Sequence, residues 1–257
     1  MKNTSEYLNQ LFGLSGKVVV LTGGMGKLGT EFATSLSVAG AQVVRFDVAS
    51  GAEFQIDITN REQVASAVAE VAKKFGRIDA LINNAAINPV PGTAESAVQF
   101  SAYEDYPPEL WEKEIAVGLT GALYCAQAVA PIMKQQGTGS IINISSTYGN
   151  VGPDNRIYEA GQFKSIGYAT VKGALLNFTR AWATYLAGTG IRVNTLTMGG
   201  VEAGQDPDFV RKYSARTILG RMADKSDYNG AIIFLVSDAS RYMTGANLII
   251  DGGWTAW

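Results

Sequence analysis

Short, nearly unbroken apolar runs alternate along this chain with longer stretches whose apolar positions recur every three or four residues. The runs at 17–22, 41–47, 78–84, 140–145, 191–196 and 247–251 carry Val, Ile and Leu, and 54–57 (Phe-Gln-Ile-Asp) looks like a further, shorter strand. Continuous apolar runs of this length are how strands buried on both faces of a parallel sheet read. Helical spacing fills the segments from the first glycine cluster to Val38, then 61–75, about 108–136, 168–187, 208–221 and 227–237. Gly40, Gly76, Gly188 and Gly190 are natural stops for them. Strand alternating with helix predicts right-handed βαβ units, with helices on both faces of the sheet. The expectation is a single doubly wound α/β domain of Rossmann type over residues 1–257. It carries a polar extension at 1–12 and insertions at about 88–107 and 147–167, without linker, repeat or low-complexity segment.

Composition narrows the chemistry. With 257 residues of which 47% are hydrophobic, a large core is available. A net charge of −2 gives no electrostatic reason to expect nucleic acid or an anionic membrane surface. No apolar run approaches the roughly 18 residues of a membrane span, and residues 1–10 lack an apolar signal core. The expectation is a soluble cytoplasmic protein acting on a small molecule. Cys125 is the sole cysteine, which excludes an internal disulfide, and it lies in an apolar helical run as a small buried hydrophobe. There is no histidine. That removes Ser-His-Asp and Cys-His hydrolysis and every His-ligated metal site, so no metal centre is expected. Proton transfer falls to Tyr, Lys, Asp, Glu or water.

Tyr168-Ala-Thr-Val-Lys172 places a phenol and an ammonium on one helix face at i, i+4. A neighbouring cation favours phenolate, so the Tyr168 pKa should fall from about 10 toward working pH, which suits a general acid/base. The alternative is an ordinary solvated pair. Upstream, the glycines between 23 and 29 stand on the first βα turn, where backbone N–H groups can meet a pyrophosphate at a helix N-terminus. Asp47 ends the second strand, placed to accept from the ribose 2′-OH of NAD and to repel a 2′-phosphate; Arg45 and Lys27 soften that repulsion. NAD is therefore expected ahead of NADP. Asp57 either meets an adenine amino group or serves an ordinary turn.

Thr22-Gly23 through Gly29, Asn83-Asn84-Ala85-Ala86, Ser145-Ser146, Tyr168-x-x-x-Lys172 and Asp251-Gly-Gly occur in this order. With them the chain resembles the short-chain dehydrogenase/reductase family from about Gly13 to its C-terminus. The resemblance implies a nicotinamide cofactor, a homotetramer, and hydride transfer between the nicotinamide and a carbinol carbon. It makes Tyr168 the acid/base and Lys172 the residue that lowers its pKa and binds the nicotinamide ribose; Ser146 hydrogen-bonds the substrate oxygen. Gly23, Met25, Lys27, Leu28, Asp47, Asp57, Ile58, Asn84, Ala85 and Val201 line the cofactor.

Three departures from the family pattern stand out. Lys27 replaces the middle glycine of the turn, and it either lies beside the phosphates or points away. Gly118 replaces the Asn of a helix that often completes the proton relay, though a glycine still permits a local helix irregularity there. Finally, both insertions emerge at the C-terminal edge of the sheet, where long loops tend to be functional. One holds Asp154, Asn155, Arg156, Tyr158, Glu159, Gln162 and Lys164; the other holds Pro89, Pro91, Phe100, Tyr103 and Tyr106. A polar rim with aromatic faces suits a sugar-derived substrate. The alternatives are a 3-oxoacyl or small-ketone reductase, and a family member that binds dinucleotide without turnover. Glu202, Gln205, Asp206, Arg211 and Lys212 fall in the segment where the family keeps its substrate lid. The tryptophans of the C-terminal tail should fold back on the core or meet a neighbouring subunit.

Overall fold

Seven strands form one parallel sheet in the order β3-β2-β1-β4-β5-β6-β7. They are β1 (Val18–Thr22), β2 (Gln42–Asp47), β3 (Phe54–Gln55), β4 (Ala80–Asn83), β5 (Gly139–Ser146), β6 (Ile191–Met198) and β7 (Asn247–Ile250). The computed structural model describes residues 3–88 and 94–257; Pro89 and Pro91 lie outside the described residues. Helices α1 (Thr4–Phe12), α2 (Lys27–Val38), α3 (Arg61–Phe75), α4 (Ala94–Gln99), α5 (Pro108–Ile115) and α6 (Gly121–Gln136) occupy the first half. Helices α7 (Thr147–Asn150), α8 (Ile166–Tyr185), α9 (Pro207–Ser214) and α10 (Asn229–Val236) follow.

Alternate strand residues point to opposite faces. Val18, Val20, Val44, Leu81, Ile141 and Val193 pack with α3 and α6 on one side. Val19, Leu21, Val43, Ile82, Ile142 and Leu196 pack with α2 and α10 on the other. Two cores leave no polar face on the central strands, and this is the physical origin of the unbroken apolar runs. The sheet order reverses between β1 and β4, so the carboxyl ends of these strands diverge and open a crevice. A buried polar chain ties that region together: Asn83 donates to Asn143 (2.8 Å), Asn143 to Thr179 (2.8 Å), and Thr179 pairs with Thr195 (2.7 Å).

The structure corrects the expected helices in four places. Within the expected N-terminal extension, Thr4–Phe12 form a helix that Asn3 caps by accepting from the Ser5 amide. The long helix at 108–136 is broken by a π-helical turn over Ala116–Thr120. The stretch Pro108–Gln136 also has the length and composition of a membrane span, against expectation, though α6 packs on α3, β4 and β5 as a core-flanking helix does. The helix expected over 208–221 ends at Ser214, since the Thr217 hydroxyl takes the Arg221 amide and Gly220 turns at φ +69°.

Candidate active site

The crevice is a cleft of about 900 Å³ along the carboxyl ends of the strands. Its near wall is the turn from β1 into α2. Gly23 sits at φ +63°, and a Cβ there would lie 2.8 Å from the Ala85 Cα. A Cβ at Gly29 would strike the Gly23 carbonyl at 2.0 Å. Backbone meets backbone here, so no side chain fills the approach. Gly26 caps α2 without a side-chain acceptor, which leaves first-turn N–H groups directed at an incoming anion. Met25, Lys27, Leu28, Asp47, Asp57, Ile58, Asn84, Ala85 and Val201 all line the cleft, together with Gly23. These residues fit a dinucleotide laid with its pyrophosphate over the glycine turn.

The positions differ in what they contribute. Asp47 accepts from the Met25 amide (2.9 Å) and from Ala49 (3.0 Å), which pins the β2 carboxylate against the glycine turn. Arg45 is held by Glu53 through Nε (2.8 Å) and Nη2 (2.7 Å), so its charge is spoken for. Asp57 takes the Thr59 amide and hydroxyl (2.8 Å each) and thus serves a turn while lining the cleft. The Asn84 amide donates to the Thr22 and Gly23 carbonyls (3.1 Å each), fastening the β4 loop to the glycine turn. Lys27 is exposed and turned away from the glycine turn. Its Nζ reaches 3.2 Å to the Ala203 carbonyl, on the segment after β6.

At the far end lie Ser146, Tyr168 and Lys172, the residues expected to carry the proton transfer. Tyr168 and Lys172 share one face of α8, whose N-cap Ser165 accepts the Tyr168 amide at 2.9 Å. Lys172 is buried and donates to the Ile144 carbonyl (2.7 Å), with Nζ 5.5 Å from the centre of the Tyr168 ring. Ser146 ends β5 and hydrogen-bonds the Tyr168 hydroxyl. The expected drop in the Tyr168 pKa is not what the structure gives. Burial raises it, and the Ser146 hydrogen bond offsets only part. Burial likewise brings Lys172 down to about 8. The two effects share one cause, a phenol and an ammonium enclosed together in low dielectric.

Gly118 lies inside the π turn, and a Cβ there would meet Val171 Cγ1 at 2.5 Å. The irregularity expected of this position is present, while packing of α8 leaves no room for the family's asparagine side chain. Of the described insertion residues named from the sequence, only Tyr158 and Lys164 line the cleft. Asp154 pairs with Arg156 (2.7 Å) and Arg216 (3.1 Å), Gln162 with Glu159 (3.2 Å), and Arg156 is 81% exposed. The polar rim therefore faces outward or pairs with itself. Beyond Tyr168 the wall is made of Tyr148, Tyr158, Phe209, Tyr213 and Met222. From the lid segment only Gln205, of the polar residues named, lines the cleft. In the tail, Trp254 folds back and stacks on Tyr213 (4.3 Å between ring centres), while Trp257 stays exposed.

Two further residues complete the site: Glu114, which the sequence reading did not single out, and Lys164, which it placed only among the polar residues of the second insertion. Glu114 of α5 is buried and receives Tyr106, Ser165 and Gln99. Lys164 stands four residues before Tyr168, as Lys172 stands four after, and the pattern K-x-x-x-Y-x-x-x-K is the signal that was available. The two buried lysines make stability depend on pH. Burial takes Lys164 to about 7 and Lys172 to about 8, below the ordinary lysine value near ~10.4. Between those values the unfolded chain holds more protons than the folded one, so stability rises with pH from about 7 toward 10. Tyr148, Tyr158, Tyr213 and Tyr228 are raised above the phenol range by burial, so the folded state keeps protons that the unfolded state gives up. Stability falls again above about pH 10. Thermal melts across pH 6–11 should show a maximum near pH 9–10; a steady decline from pH 7 would contradict it.

A nicotinamide-dependent oxidoreductase is what a glycine-turn crevice beside a Ser-Tyr-Lys group, half-buried at its tyrosine, defines. Comparison with known proteins agrees. The family model described as Enoyl-(Acyl carrier protein) reductase matches residues 24–255. The cis-4-hydroxycyclohexanecarboxylate dehydrogenase of Sinomonas cyclohexanicum is 32% identical, over 93% of this chain and 97% of its own. Among solved structures, a short-chain dehydrogenase from Leptospira borgpetersenii with bound NAD+ superposes with a TM-score of 0.85 at 34% identity, covering 99% of this chain and 96% of that one. A gluconate 5-dehydrogenase from Burkholderia cenocepacia, in complex with NADP and tartrate, also gives 0.85 at 28% identity, covering 96% and 98%. The chain belongs to the short-chain dehydrogenase/reductase family, whose members act on alcohols and ketones with a nicotinamide dinucleotide.

Proposed function

We propose that this protein uses NAD(H) to interconvert a carbinol and a carbonyl on a compact, ring-sized substrate. The observation that carries the proposal is the Tyr168 phenol held between Ser146 and Lys172 at the floor of the cleft. When bound, the nicotinamide supplies the hydride chemistry. The chain supplies the rest. Ser146 hydrogen-bonds the substrate oxygen and Tyr168 takes or returns its proton. Lys172 holds the nicotinamide ribose and steadies the phenolate. Aromatic walls exclude water and fix the ring.

Asp47 together with the Arg45–Glu53 pair supports NAD over NADP, because a 2′-phosphate would meet a fixed carboxylate and no free guanidinium. Like-charge contact of this kind costs several kcal/mol, so kcat/KM for NAD should exceed that for NADP by roughly a hundredfold. Replacing Asp47 with Ala should narrow the gap. Faster turnover with NADP would overturn the assignment. The aromatic walls support a carbocycle or sugar ring, either of which stacks its C–H faces on Tyr148, Tyr158 or Tyr213. A panel of cyclic alcohols, sugars, sugar acids and 3-oxoacyl thioesters tests this; preference for the thioesters would overturn the substrate class. A homotetramer is part of the same proposal, supported by Ile218, Leu219 and Trp257, which stay exposed on the single chain.

A further inference from the structure

We propose that Lys164 anchors a carboxylate on the substrate, so that this enzyme acts on a hydroxy acid or oxo acid rather than on a neutral carbinol. The proposal rests on the oxidoreductase function above and names the substrate class of that same site.

Lys164 leaves the second insertion one residue before the α8 N-cap, and its side chain runs into the cleft with 5% exposure. Its Nζ lies 4.1 Å from the centre of the Tyr168 ring and 5.2 Å from that of Phe100. Among the described residues it has one hydrogen-bond acceptor, Asn88 Oδ1 at 2.6 Å. An ammonium carries three donors, so the remaining two face aromatic rings and the cleft. Among the described residues no carboxylate comes within ion-pair distance of it. Glu114 is the nearby acid, and its contacts are Gln99, Tyr106 and Ser165.

Lys172 has a similar setting, with the Ile144 carbonyl as acceptor and the Tyr168 ring at 5.5 Å, but the function proposed above already assigns its ammonium to the nicotinamide ribose, which leaves Lys164 for the substrate. A buried cation with a single neutral partner is costly unless something compensates it. Burial accordingly lowers Lys164, and a bound anion would reverse that.

The charge along the cleft points the same way. Asp47 and Asp57 are its lining carboxylates, both at the ends of β2 and β3, where the adenosine half of a dinucleotide belongs. The other charged lining residues are Lys27, Lys113, Lys164 and Lys172, all cations, and of these Lys164 and Lys172 lie against the Tyr168 ring. A carbinol at the Tyr168 hydroxyl therefore has an ammonium over the same ring, within the span of one small molecule.

The test compares two probes of equal size that differ in charge, cyclohexanecarboxylate and cyclohexanecarboxamide. Both are titrated calorimetrically into enzyme saturated with NADH. The acid should bind about ten- to hundredfold tighter than the amide, the margin of one charged hydrogen bond. Lys164→Gln should erase that margin with little change for the amide, and Lys164→Arg should keep part of it. Equal affinities in the wild type, no binding of either probe, or a Lys164→Gln variant that weakens both alike would overturn the proposal. The wild-type comparison stands even if the variant folds poorly. Tyr168→Phe should keep the acid preference. Should that variant also keep turnover, the assigned proton donor fails and not the anchor.

Discussion

Replacing Tyr168 with Phe is expected to lower turnover by about 10²–10⁴-fold while leaving dinucleotide affinity within about threefold. The variant removes one oxygen and preserves the ring on which Lys164 and Lys172 bear. The loss should therefore fall on kcat. The pH profile gives an independent check. Burial holds the phenol protonated above its ordinary range, and oxidation needs the phenolate. Oxidation in the wild type should accelerate with rising pH, by up to about tenfold per unit below the phenol's pKa. Any residual activity of Tyr168→Phe should lose that slope. Unchanged kcat in the variant would mean that the proton leaves by another route. Unaltered dinucleotide binding without turnover on any carbinol, in the wild type itself, would instead mark a family-fold protein that binds without reacting.

Most of the architecture was legible because burial on both sheet faces imposes a simple rule on the strands. Val18 to Leu21 must all be apolar when alternate residues enter separate cores. The grouping of Ser146, Tyr168 and Lys172 was legible for a similar reason. Tyr168 and Lys172 need only a helix to come together, and Ser146 needs only to end a central strand. Asp47 followed from its place at the end of β2.

What escaped the sequence depends on direction and enclosure. Composition of 147–167 suggests a polar binding rim, yet Asp154 spends its charge on Arg156 and Arg216. Nothing in residue order says that Arg216, sixty-odd positions on, is the partner. The tyrosine pKa was missed in sign because i, i+4 spacing reports a neighbour and not the solvent. Burial raises the value and outweighs the lowering by the Ser146 hydrogen bond. Lys27 was open in the sequence between phosphate and solvent, and its Ala203 contact requires knowing where the chain returns after β6.

Glu114 shows the same limit at its most consequential point. It occupies the i+4 slot between Leu110 and Gly118 on the buried stripe of its helix, a slot that should be apolar. Its carboxylate takes Tyr106 at 2.6 Å and Ser165 at 2.8 Å, and it also receives Gln99. Gln99 and Tyr106 belong to the first insertion and Ser165 to the second, so one side chain joins both. The Ser165 hydroxyl that donates to Glu114 also accepts the Tyr168 amide, which connects the carboxylate to the first turn of α8.

Glu114→Ala would leave three buried donors without their acceptor and is expected to destabilise the fold by about 3 kcal/mol or more. For a chain of this size that is a fall in Tm of roughly 6–12 °C. Glu114→Gln preserves shape but offers one acceptor oxygen in place of two, so its loss should be smaller. Since the carboxylate positions Tyr168 through Ser165, kcat should fall in both variants at temperatures well below melting, where a purely structural defect would leave it alone. Ser165→Ala should lower kcat in the same direction, and the double variant should lose less than the sum of the two. If Glu114→Ala melts within about 2 °C of the wild type, or if the two effects add, the carboxylate does not hold the catalytic helix in place.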